Sequence, residues 1–77
     1  MNAERRKELT KAAKLIEDAK AIVEQCAADE RDYYDNMPEN MQSSDKGEKA
    51  SSDADALEEA DGPLQEVLDA IENAITA

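Results

Sequence analysis

Small and apolar residues recur at Leu9, Ala12, Ile16, Ala19, Val23, Cys26 and Tyr33 in alternating steps of three and four, and only Glu30 interrupts the row. No Gly or Pro occurs between Ala3 and Tyr34, so the spacing predicts one amphipathic helix carrying a heptad seam. Asn2 stands where it would cap the start of that helix. A second row, Ala50, Ala54, Leu57, Leu64, Leu68, Ile71 and Ile75, has Asp61 as its one polar break and predicts a second helix. Between the rows, Pro38 pushes Met37 out of the helical region. Ser43-Ser44-Asp45 followed by Glu48 predicts a cap, with Asp45 and Glu48 spaced as in a capping box.

The expected fold is all-α: residues 1–77 as a single antiparallel two-helix coiled-coil hairpin. Helix one covers about 3–35, the turn 36–44, and helix two about 45–76 with a kink at Gly62-Pro63, where a backbone donor is missing. Each arm is then roughly 50 Å long at 1.5 Å per residue. Facing layers of an antiparallel pair have residue numbers of constant sum. Leu9 with Ile71, Ala12 with Leu68, Ile16 with Leu64, Val23 with Leu57, and Cys26 with Ala54 all add to 80, and each places an a position against a d position. Cys26 is therefore expected as an inert core thiol and Arg5 as an inward residue opposite Ile75. Asp61 faces inward opposite Ala19, where it is expected to cap the restarted helix by accepting from the Leu64 amide; a ligand or partner contact is the competing role.

The two flanks differ. One edge pairs Arg6 with Glu72, Ala13 with Gln65, and Lys20 with Glu58, and is polar and charge-matched. The other pairs Leu15 with Val67 and Ile22 with Ala60, continues at Ala74, and is apolar. A lone hairpin buries too little surface to offset the ordering entropy of its chain. Leu15, Ile22, Ala60, Val67 and Ala74 are therefore the expected oligomer interface, closing a four-helix bundle dimer or a higher oligomer. Docking of a different protein on the same edge is the alternative.

Composition narrows the function. With 20 acidic and 9 basic residues in 77, the net charge is −11 and direct nucleic-acid binding is not expected. A mean hydropathy of −0.83 would also suit a disordered chain; the periodicity decides for a folded one. Residues 1–38 hold seven basic and nine acidic side chains and residues 39–77 two and eleven, so most of the excess lies on the second helix. The absence of His and the single Cys exclude a His-based dyad, a His/Cys zinc site and an internal disulfide. Neither an enzyme nor a cofactor is expected. Asp53-Ala54-Asp55 lacks the glycine and terminal glutamate of a calcium loop, so no metal is expected either. The sole Cys suits a reducing compartment, no apolar run is long enough for a membrane span, and Arg5-Arg6-Lys7 followed by Glu8 and Lys11 does not read as a secretion signal. A cytoplasmic location is the expectation.

Two surface groups merit chemical attention. The turn gathers Tyr33, Tyr34, Asp35, Asn36, Met37, Glu39 and Met41, a set of aromatic, thioether and acidic contact groups. These residues either bind a partner or plug the open turn over Gly47 and Ala50. Near the other end, Arg5, Arg6, Lys7 and Lys11 could hold a phosphate-bearing molecule, or, with Lys14, form a solvated face paired to local glutamates.

The stretch from Glu30 to Ala50, with Tyr33, Tyr34, Asp35, Asn36, Met37, Pro38, Glu39, Gln42, Gly47 and Glu48, resembles a segment of small helical-hairpin proteins of tailed bacteriophages and prophages. In those proteins an acidic helix ends in an aromatic and a D-N-M/L-P-E turn, then restarts at a G-E pair. The match covers about a quarter of the chain, and Gly62-Pro63 departs from the uninterrupted second helix of that pattern. The resemblance implies a phage origin, a hairpin fold and residence in an infected bacterial host. The expected function is a non-enzymatic phage accessory or anti-defence protein that binds and inhibits a host protein through its acidic helical surface or its tip. Alternatives are an oligomeric sponge for an anionic signalling nucleotide and a structural coiled-coil component of a phage assembly.

Overall fold

A computed structural model describes residues 1–76. Helix α1 spans Ala3–Asp35, the single turn α2 Glu39–Gln42, α3 Asp45–Glu59 and α4 Asp61–Thr76; no strand occurs among the described residues. Helix α1 runs along both α3 and α4, giving an all-α helical hairpin of 58 × 15 × 14 Å. Its radius of gyration is 17.4 Å, against about 11–12 Å for a compact chain of this length.

Local chemistry sets the ends. Asn2 Oδ1 accepts from the Arg5 amide at 2.8 Å and starts α1. At the restart after the turn, Ser44, rather than Asp45, is the cap: its hydroxyl accepts from the Gly47 amide at 3.2 Å, and Asp45 is already helical. The second arm breaks at Ala60, ahead of the expected 62–63. The reason lies in the reach of proline, whose ring and missing N–H act on the carbonyl four residues earlier, here Glu59. Pro63 then falls in the first turn of α4, where free amides are the rule. Ala60 keeps helical angles of φ −68°, ψ −19°, so the apolar row stays in phase across the break.

The row on α3 and α4 lies inward throughout, with Ala50 and Ala54 buried and Leu57, Asp61, Leu64, Leu68, Ile71 and Ile75 half-buried. The row on α1 does not. Beyond Ile16 the inward positions are Lys20, Val23, Ala27, Glu30 and Tyr34, whereas Ala19, Cys26 and Tyr33 are exposed. The seam has rotated by one residue, because a straight α-helix repeats every 3.6 residues and drifts off a 3.5-residue heptad by about 20° per repeat. Arg5 is likewise exposed instead of facing Ile75.

A glycine lets α3 close directly on the turn. A Cβ on Gly47 would stand 2.3 Å from the Met41 carbonyl oxygen and 2.5 Å from that of Gln42. The first turn of α3 therefore touches the backbone of the turn with no side chain between them. Beyond its own helix and chain neighbours, Gly62 has nothing within 4 Å of the same position and plays no comparable part.

Candidate functional site

The turn is built on backbone bonds, and its side chains differ in burial. Asn36 N–H donates to Asp32 O at 3.0 Å and Met37 N–H to Tyr34 O at 3.1 Å, which ends α1. Pro38 O accepts from Met41 and Gln42 amides at 2.8 and 3.1 Å, closing the single turn of α2, and Gln42 Nε2 reaches back to Tyr34 O at 3.2 Å. Within this frame Tyr34 and Met37 are half-buried, while Tyr33 is 44% and Met41 41% exposed. Asp35, Asn36 and Glu39 are exposed beside them. Plugging and presentation are thus divided between neighbouring residues. The Lys46 ammonium lies 5.9 Å from the centroid of the Tyr33 ring, a distance at which a cation steadies the outward aromatic.

Along the other expected interface, Leu15 is 63%, Ile22 64% and Val67 45% exposed, and Ala60 and Ala74 are half-buried. The apolar edge is uncovered in the single chain.

Charged residues also clamp the two arms together. Lys20 contacts Glu24 at 2.8 Å and crosses to Asp61 at 3.1 Å, not to Glu58, the residue expected to face it on the polar edge. Asp61 does not cap α4, since the Leu64 amide donates to Ala60 O at 3.2 Å. Its Oδ1 is shielded from solvent without a hydrogen bond of ordinary angle, and the ammonium of Lys20 is what compensates it. The Glu24 carboxyl and the Lys20 ammonium hold Asp61 below the usual carboxylate range, and the same two carboxylates, Glu24 first, raise Lys20 above its ordinary value. Nearer the tip, Arg31 bridges Asp55 and, at 2.8 Å, Glu58, which pushes its pKa up. Arg31 was invisible as a clamp in the heptad pattern; its one signal is that it is the lone cation in an acidic stretch from Asp29 to Asp35.

The basic residues near the start of α1 do not converge. Arg5, Arg6, Lys7 and Lys11 are all exposed, Lys11 lies 3.8 Å from Glu8, and Lys14 lies 3.0 Å from Asp18. The shallow depression beside Arg5 is lined by Glu4 and Glu8 as well as Leu9. An open groove of about 560 Å³ on the polar edge carries Glu17, Glu24 and Glu72 against the single Lys20. Among the described residues no group of three or more potential ligands could hold a metal, and no helix is long and apolar enough to cross a membrane.

No family model, curated protein or solved structure matches the chain.

Proposed function

We propose that this chain is a non-enzymatic phage accessory protein that binds and inhibits a host protein, most directly a defence component. Binding uses the hairpin tip, with the acidic helical surface as the flanking field. The exposure of Tyr33 and Met41, together with that of Asp35 and Glu39 on the same tip segment, whose turn is held by its own backbone bonds, is the observation that carries this reading. Aromatic and thioether groups supply contact energy, and a rigid turn lowers the entropy lost on binding. The net charge of −11 favours a partner with a basic surface and steers its approach. Self-association through Leu15, Ile22, Ala60, Val67 and Ala74 into a four-helix bundle belongs to the same proposal, since it would present two tips per particle.

A nucleotide sponge draws less support, because the exposed arginines and lysines diverge and acidic side chains line the depressions beside them. The test is capture from a bacterial lysate with the wild-type chain and a Tyr33→Ala/Met41→Ala variant. Specific capture of one protein by the wild type alone is expected. Equal capture by both would move the contact away from the tip, and capture surviving molar salt would remove charge as its main driver.

A further inference from the structure

The one-residue rotation of the α1 seam has an outward counterpart. It leaves Leu15, Ala19, Ile22 and Cys26 exposed together, in steps of four, three and four, as a second apolar stripe on the same helix. Ala60 and Val67 lie on the expected edge beside it. The chain exposes 5529 Å², whereas a compact monomer of this mass exposes about 4,600 Å². The excess of roughly 900 Å² is close to the ~800 Å² that each partner covers in a standard interface.

The charges on α1 select both the occupant and its direction. Its first twelve residues, 3–14, hold Arg5, Arg6, Lys7, Lys11 and Lys14 against Glu4 and Glu8. Its last turns hold Glu24, Asp29, Glu30, Asp32 and Asp35 against Arg31. This gradient opposes the helix's own macrodipole and is complementary to an antiparallel copy of itself. A two-fold axis generates such a pairing, and the stripe is self-complementary about one: Leu15 and Cys26 add to 41, and so do Ala19 and Ile22. The alternation of steps then sets knobs against holes in each layer.

We propose that the occupant of this face is a second copy of the chain, with α1 antiparallel to α1 about a two-fold axis between Ala19 and Ile22. Leu15 of one copy packs on Cys26 of the other. This rests on the self-association stated above and specifies its register. Solution mass across a concentration series is expected to give twice 8.4 kDa. Ile22→Glu, at an exposed position, should weaken pairing by about tenfold or more while leaving helix content unchanged.

Register is read by oxidation. Leu15→Cys should cross-link efficiently between chains through Cys26, whereas the wild type should not, because the two native thiols lie roughly 16 Å apart in this arrangement. A single-chain mass at all concentrations overturns self-association and register together. A dimer that cross-links through Cys26 alone, or in which Leu15→Cys stays unlinked, overturns only the register.

Discussion

The two halves of the hairpin are held by opposite means. Toward the tip, α1 meets α3 through small residues: Ala27, Ala50 and Ala54 are the buried hydrophobic residues among those described, and Gly47 lies directly against the turn. Toward the open end, α1 meets α4 through Leu64, Leu68, Ile71 and Ile75, which are larger yet only half-buried. The more hydrophobic half is the less enclosed one. Close approach seals a seam of alanines with little area, whereas a single facing helix cannot cover branched side chains from all sides. Covering the open half therefore needs something beyond the chain itself.

That contrast is breakable. The largest effect is expected from Gly47→Ala, whose new methyl meets two carbonyl oxygens; a loss of about 1–3 kcal/mol in urea unfolding at fixed protein concentration is expected, despite alanine's better helix propensity. Ala54→Leu, at a position with no exposed surface, should cost a similar amount by forcing α3 from α1. The same kind of change in the open half should be far milder: at Gly62→Ala nothing beyond the chain neighbours lies within 4 Å, and alanine's better helix propensity is offset by the Pro63 ring, which crowds a Cβ on the helical residue before it, so a shift within about 0.5 kcal/mol is expected. Losses of equal size at the two glycines would dissolve the distinction between halves.

The smallest effect is confined to acid. Asp61 has its folded-state pKa lowered by Glu24 and Lys20, so its contribution is present above the ordinary carboxylate pKa and disappears as pH falls through the lowered value. Asp61→Asn should flatten the acid limb of thermal stability between those two values and leave neutral-to-acid comparisons elsewhere unchanged. An unchanged acid limb would mean that Lys20 does not hold Asp61 across the hairpin.

Legibility followed residue contrast. The second-arm row was readable because a polar residue directly follows each inward apolar one, as Gln65 follows Leu64 and Asp69 follows Leu68. In α1 the choice lay between adjacent near-equals, Cys26 or Ala27 and Tyr33 or Tyr34, and helical drift chose the second of each. Lys20 over Ala19 defied hydropathy altogether, since a lysine stem lies along the seam while its ammonium finds Asp61. At the tip, composition marked the right segment, but which tyrosine turns outward depends on the phase of a 33-residue helix at its last turn. The exposed apolar edge was visible from spacing; its widening by Ala19 and Cys26 required the rotated backbone.

The interruption at Ala60 also divides the rod mechanically. With no amide on Pro63 to bridge to Glu59, the ladder of α4 ends before that of α3 begins, and fraying that starts at the chain ends stops there. Amide protons of α4 should thus exchange with solvent deuterium as one early group, while those of α3 persist until the whole molecule opens.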